Sequence, residues 1–362
     1  MNIAALYKLY QKHPVICTDS RKITENCIYF SLKGENFDGN TFALEALQEG
    51  AAYSITDNIL LPETKGLIKV KNGLRTLQQL SSYHRHQFDI PVLGITGSNG
   101  KTTTKELICS VLSQKFNVLA TAGNFNNHIG VPLTLFGLRD EHEIAIIEMG
   151  ASRQGEIKEL CAIADPDLAL ITNIGKAHLE TMGGLEGVLK TKTELFNHVK
   201  ARKGQLLVHS CDKKLVENAN GAKAFFYGAL PTDDVSGRII RNGNLVSVQW
   251  KRKQNVGAIE EMPVVNTDLT GTYNLPNIMA AVAVGVEFGL SDEQIAMGIS
   301  SYRSSNNRSE VRKVGTNTFI LDAYNANPSS MEVAIDNLLS SDAANLSVIL
   351  GEMLELGTTS KE

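Results

Sequence analysis

The chain has 362 residues, 43% of them apolar and 20% charged, and 35 Lys and Arg against 39 Asp and Glu leave a formal charge of −4. That length suits two or three domains with a sizeable core, while the near-balance of charge excludes a bulk nucleic-acid binder and a polybasic membrane-surface protein. No apolar run approaches the roughly 20 residues that cross a bilayer, and the N-terminus lacks the basic start and apolar stretch of a secretory signal. Five scattered cysteines, never in CxxC spacing, argue against a disulfide framework or zinc knuckle and for the reducing cytoplasm.

In chain order, residues 1–88 alternate short apolar runs (Ile28 to Leu32, Gly66 to Val70) with helix-like stretches such as Phe42 to Gly50, which predicts a small α/β domain. In residues 89–302 apolar strands end in polar, Gly-rich turns. Val92 to Ile95 runs into Thr96 to Lys101, Ile144 to Ile147 into Glu148-Met149-Gly150, and Leu168 to Ile171 into Thr172 to Gly175. Helical patterns between them predict a doubly wound, mostly parallel sheet, whose ligands would bind beyond the carboxyl ends of the strands. Around 230–260, alternating Leu245-Val246-Ser247-Val248 with Gly237, Gly243 and Gly257 reads as an antiparallel hairpin inserted before a helix that opens near Pro276. Residues 303–362 offer one strand (Phe319 to Leu321), a helix (Ser329 to Leu339) and a second strand (Leu346 to Leu350). Two strands and one helix cannot cover both faces of a sheet, so an incomplete C-terminal Rossmann-like α/β domain is expected.

The strongest chemical signal is Gly94-Ile95-Thr96-Gly97-Ser98-Asn99-Gly100-Lys101-Thr102-Thr103-Thr104. Glycines after a strand let backbone N–H groups turn around phosphate oxygens, and the helix start that follows favours negative charge. Lys101 would reach the β/γ-phosphates and the Thr102 hydroxyl would ligate Mg²⁺. The general pattern G-x-x-x-x-G-K-[ST] fails at Ile95, and the bland alternative is a turn without ligand. Glu148, at a strand end, is alone a surface residue, but beside Lys101 and Thr102 it becomes a candidate metal carboxylate. His178 by itself reads as structural and Lys192 as a solvated helix lysine. The segment Thr121-Ala122-Gly123-Asn124-Phe125-Asn126-Asn127-His128 is dense in amides, which suits binding of a polar ligand over a plain turn. Asn306-Asn307-Arg308 and Asp322-Ala323-Tyr324-Asn325-Ala326-Asn327-Pro328 have the same character.

Together these residues resemble the Mur ligases, ATP-dependent amide-forming enzymes of peptidoglycan precursor synthesis, along all 362 residues. Thr96 to Thr103 has the family's TGxxGKTT form, which accounts for Ile95. Thr18-Asp19-Ser20-Arg21 and Leu32 to Gly39 are similar to the family's UDP-binding domain, implying substrate contacts at Ser20 and Arg21. Asn40 stands where the family often has histidine, and no role follows there. Gly123 to Asn127, Glu148 to Ala151 and Asp322 to Pro328, with Asn325 in place of a histidine, resemble the branch that adds D-alanyl-D-alanine to UDP-N-acetylmuramoyl-tripeptide. The resemblance implies nucleotide contacts from Gly97, Ser98, Asn99, Gly100, Lys101, Thr102, Thr103, Asn277, Arg308 and Asp322. It implies substrate contacts from Asn124, Asn126 and Asn127. It also changes two readings, since His178 and a carbamylated Lys192 would join Thr102 and Glu148 around two Mg²⁺ ions.

The implied reaction passes through an acyl phosphate formed with ATP and attacked by the amine of D-alanyl-D-alanine, with Lys101, Glu148, His178 and Lys192 as the catalytic set. The implied chain is a cytoplasmic monomer with no nucleic-acid partner and no stable membrane insertion. The competing readings are another Mur or folylpolyglutamate-type ligase, or a nucleotide-binding P-loop protein or fragment without ligase turnover.

Overall fold

The computed structural model describes residues 2–34, 36–242, 245–304, 307–341, 343 and 345–353. Its first part runs α1 (Ile3–Lys12), β1 (Ile16–Cys17), β2 (Ile28–Phe30), α2 (Ala43–Gln48), β3 (Tyr53–Thr56), β4 (Leu67–Lys69) and α3 (Gly73–Arg85). The four strands form one parallel sheet in sequential order. Asn2 and Asn72 start α1 and α3 by accepting the N–H groups of Ala5 and Arg75, which relieves unpaired donors of each first turn. Strand β3 has no counterpart among the strands expected from the sequence, because half of Tyr53-Ser54-Ile55-Thr56 is polar. Ser54 and Thr56 are nonetheless buried, and the Thr56 hydroxyl donates to Asn40 Oδ1 at 2.6 Å.

The middle part runs β5 (Val92–Thr96), α4 (Lys101–Leu112), β6 (Val118–Ala120), α5 (Gly130–Leu135), β7 (Ile144–Glu148), α6 (Glu156–Ala164), β8 (Leu168–Ile171), α7 (Leu179–Met182), α8 (Gly184–Ala201), β9 (Gln205–His209), α9 (Lys213–Ala219) and β10 (Lys223–Gly228). It continues through β11 (Val235–Asn242), β12 (Leu245–Arg252), β13 (Val265–Thr270), α10 (Leu275–Glu287) and α11 (Asp292–Ser301). The nine strands form one sheet in the order β13-β12-β11-β10-β9-β8-β5-β7-β6. It is parallel from β6 to β11 and antiparallel at β11-β12-β13, so the expected hairpin extends the central sheet.

Strand side chains alternate between two cores, as a pleat with both faces covered requires. Leu93, Ile95, Ile144 and Ile146 face the side of α4, α10 and α11, whereas Val92, Ala145 and Ile147 face α6 and α8. Helix α11 crosses α4 so closely that a Cβ on Gly298 would lie 2.5 Å from Val111 Cα. Gly298→Val is therefore expected to lower stability by about 1–3 kcal/mol, read as a lower urea midpoint. An unchanged midpoint would show that the two helices part freely.

The first part packs on the middle one through α3 and α5. The Tyr10 hydroxyl donates to the Phe136 carbonyl at 3.0 Å, and His84 sits between the Tyr7 hydroxyl and the Leu138 carbonyl. Burial lowers the His84 pKa to about 4, so this histidine is neutral at physiological pH.

The last part contains β14 (Glu310–Val314), β15 (Asn317–Leu321) and α12 (Pro328–Leu339). Strand β14 was not expected, since Glu310-Val311-Arg312-Lys313-Val314 is largely charged, but it pairs antiparallel with β15. The strand expected at Leu346 to Leu350 does not form. An apolar run becomes a strand only where a neighbour takes up its N–H and C=O groups, and among the described residues this run has no ladder partner. Glu35, Gly243, Asn306 and residues 354–362 lie outside the described residues. No helix among the described residues is long and apolar enough to cross a membrane.

Candidate active site

A cleft of about 1070 Å³ opens beyond the carboxyl ends of β5, β7, β8 and β9 and is closed on one side by the last part. Its floor is the loop between β5 and α4. Gly97 (φ 148°) and Gly100 (φ 77°) occupy backbone conformations that a side chain resists, and Gly100 is the residue that turns the chain into α4. The loop is laced to the end of β8. Ser98 N–H donates to the Asn173 carbonyl at 3.1 Å and Asn99 N–H to Asn173 Oδ1 at 3.0 Å. In return the Thr172 hydroxyl and the Asn173 amide donate to the Asn99 carbonyl. Lys101, Thr102 and Thr103 of the first turn of α4 line the cleft, and first-turn N–H groups have no acceptor within their helix, an arrangement suited to phosphate.

Lys101 folds back over this loop and donates to the Gly97 and Ser98 carbonyls at 2.8 and 3.0 Å. Burial lowers its pKa, with the Glu148 charge opposing and Arg308 adding to the effect. Glu148 lies at the end of β7, opposite Ile95 of β5. Its Oε1 accepts from the Thr102 hydroxyl at 3.3 Å and from the Asn126 amide at 2.8 Å. Its Oε2 is buried with no hydrogen-bond partner. A buried carboxylate oxygen left open beside a hydroxyl fits a hard cation such as Mg²⁺, which takes few protein ligands and fills its shell with water and phosphate oxygens.

The remaining candidates divide. His178 lines the cleft in a left-handed conformation (φ 52°) at the start of α7. Lys192 is only 2% exposed on α8, which corrects the reading of a solvated lysine. Burial first, then the Lys101 charge, push its pKa down to about 7, against Glu156 and Glu194. Asn126 and Asn127 line the cleft, with Asn127 Oδ1 also accepting the N–H groups of Ile129 and Gly130 at the start of α5. Asn124 is exposed and outside the cleft lining.

Asn277 packs under the loop, accepting from the Thr104 hydroxyl at 3.1 Å. Across the cleft the Arg308 guanidinium lies 3.6 Å from the centre of the Tyr324 ring, and Asp322 accepts from Ser309 N–H at 3.3 Å. Burial raises the Asp322 pKa. Asn327 Nδ2 donates to Asn99 Oδ1 at 2.7 Å, so the last part touches the phosphate loop directly. Ser20 and Arg21 are not brought to this cleft. They form a turn on the first part, where Arg21 grips Asp19 with two nitrogens at 2.9 and 2.8 Å. Arg21 thereby holds the Asp19 pKa down at about 2. Sequence reasoning singled out neither Asn173 nor Lys105 as site residues. The polar end of β8 was a signal for the first, but nothing local distinguishes Lys105 from a surface lysine.

Residues 95–285 match the Mur ligase middle domain family. The chain is 37% identical to the UDP-N-acetylmuramoyl-tripeptide–D-alanyl-D-alanine ligase of Bacillus subtilis, over 94% of this chain and 74% of that protein. The crystal structure of MurF from Acinetobacter baumannii superposes with a TM-score of 0.88 at 31% identity, covering 98% of this chain and 80% of that one. MurF from Thermotoga maritima in complex with ADP gives 0.83 at 29% identity, covering 96% and 79%. The chain belongs to the Mur ligase family. It is an ATP-dependent ligase of peptidoglycan precursor synthesis.

Proposed function

We propose that the chain joins D-alanyl-D-alanine to UDP-N-acetylmuramoyl-tripeptide at the expense of ATP. The observation that carries this reading is the cleft in which the loop between β5 and α4, Glu148, Asn126 and Asn127 converge, in a chain 37% identical to a ligase of that name. In this reading residues 1–88 hold the uridine nucleotide through Ser20 and Arg21, residues 89–302 hold ATP, and residues 303–362 contribute Arg308 and Asp322 to it. The protein acts as a cytoplasmic monomer, where ATP and UDP-sugars are found.

The tripeptide carboxylate attacks the γ-phosphorus and ADP leaves. The amine of D-alanyl-D-alanine then attacks the acyl carbon and phosphate is expelled. No protein nucleophile is needed, so the chain's task is alignment and charge neutralisation. The first-turn amides of α4 and Lys101 take up phosphoryl charge, and Asn126 and Asn127 orient the UDP-linked peptide. Thr102 and Glu148 would hold one Mg²⁺, with His178 and a carbamylated Lys192 supporting a second. When bound, magnesium would supply charge neutralisation for the phosphoryl groups. Contacts such as Asn327 to Asn99 keep water from the acyl phosphate.

The test offers UDP-N-acetylmuramoyl-tripeptide labelled with ¹⁸O in its terminal carboxylate, together with ATP and D-alanyl-D-alanine. Pentapeptide by mass and one ¹⁸O in released phosphate are expected. Phosphate release without label would identify simple ATP hydrolysis and overturn the reading.

A further inference from the structure

Lys105 sits one turn beyond Lys101 on α4, and its side chain is 3% exposed. An ammonium is buried this deeply only where partners compensate its lost hydration. Among the described residues it has two, and neither belongs to the packing of α4. Its Nζ donates to the Gly123 carbonyl at 3.1 Å and lies 3.7 Å from Glu148 Oε2, on a carboxylate that is itself 1% exposed. The second contact is too long for a hydrogen bond, so it balances charge and leaves that oxygen's lone pairs open.

The segment 121–130 is held elsewhere as well. The Thr121 hydroxyl accepts Glu148 N–H at 3.0 Å, the Asn126 carbonyl accepts Gly150 N–H at 2.8 Å, and Gln78 of α3 donates to the His128 carbonyl at 3.1 Å. Between Thr121 and Asn126, the Lys105 bond to Gly123 ties the exposed bend of the segment to the floor of the cleft.

We propose that Lys105 is a positioning residue, whose ammonium pins Gly123 against Glu148 so that the asparagine segment presents Asn126 and Asn127 to the UDP-linked substrate. The inference rests on the function proposed above. It separates Lys105 from Lys101: one lysine of α4 serves the nucleotide, the next serves the asparagine segment.

The test is calorimetric titration of the full chain with ADP alone, then with UDP-N-acetylmuramoyl-tripeptide at saturating ADP. Lys105→Met keeps the stem and removes the charge. It is expected to weaken the UDP-tripeptide about tenfold, the loss of one charge-assisted hydrogen bond, while ADP binding stays within about twofold. Lys105→Arg, which restores charge and donors, is expected to recover most of that loss. Gly123→Ala supplies an independent variant. Its methyl would meet nothing within 4 Å, yet it disfavours the left-handed φ of 51°, so the same ligand should weaken with the core untouched. Equal losses for both ligands, or no loss for the UDP-tripeptide in Lys105→Met or Gly123→Ala, would overturn the assignment. A wild-type chain that binds ADP but never the UDP-tripeptide would overturn the proposed function, and this inference with it.

Discussion

Lys101→Ala is expected to lower phosphoryl transfer at least about 10²-fold, the loss typical of removing one preorganised electrostatic donor. The ammonium rests on the Gly97 and Ser98 carbonyls, at the mouth of the loop where a transferring phosphoryl group would lie. Exchanging two neutral carbonyls for phosphate oxygens strengthens each contact, because the acceptor becomes charged. That gain grows as negative charge gathers on the transferring group, so the variant's deficit falls on kcat more than on ATP affinity. Binding of the UDP-linked substrate should hardly change, since Ser20 and Arg21 lie on the first part, away from this loop. Pentapeptide formation and UDP-tripeptide binding, measured separately, check both halves. Wild-type turnover in the alanine variant would remove Lys101 from the reaction.

The second large effect concerns Lys192. In the role proposed for Lys192, an ammonium would repel the ion it supports; the side chain is 2% exposed and feels the Lys101 charge. Burial lowers its pKa to about 7, so near neutrality a good part of the population is the free amine, the only form that attacks CO₂. The ammonium gives up one proton to become the free amine, and attack of Nζ on the carbon releases a second, so that a cation is replaced by a carboxylate. Lys192→Ala should accordingly reduce turnover on the order of 10²-fold, and acetate or formate should restore part of it by entering the vacated volume. In the wild-type chain, ¹³CO₂ should give a carbamate carbon resonance that the variant lacks. Failure of small carboxylates to rescue, together with no such resonance, would leave Lys192 a buried structural amine.

How far the sequence carried the reading can be followed residue by residue. The parallel sheet was legible because Val92 to Ile95, Ile144 to Ile147 and Leu168 to Ile171 are covered on both faces, so their strands are apolar throughout. Gly97 and Gly100 announced the phosphate loop through the backbone they permit. Strands β3 and β14 stayed hidden because polar residues interrupt them, buried Ser54 and Thr56 in β3 and the charged Glu310, Arg312 and Lys313 in β14, leaving no apolar run. The Leu346 to Leu350 run misled for the opposite reason, since side-chain character alone cannot supply a strand partner. Lys105 was illegible as a candidate site residue, and Lys192 stood out only through the family resemblance. Charge in a sequence reads as solvent exposure, and only the packing of α4 and α8 against the sheet reveals the two lysines as buried.

The lacing of the phosphate loop to Asn173 bears on the thermodynamics of nucleotide capture. A loose glycine loop must surrender about 1–2 kcal/mol of backbone freedom for each residue it fixes around a ligand. Here the Ser98 and Asn99 N–H groups, and the Asn99 carbonyl, are engaged by Asn173 and Thr172 of the chain itself. Most of that entropy is therefore lost when the chain folds rather than when it binds. Capture of ADP should show a small entropic penalty and little change in heat capacity from the loop itself. Differences among nucleotides should then appear mainly in how fast they leave.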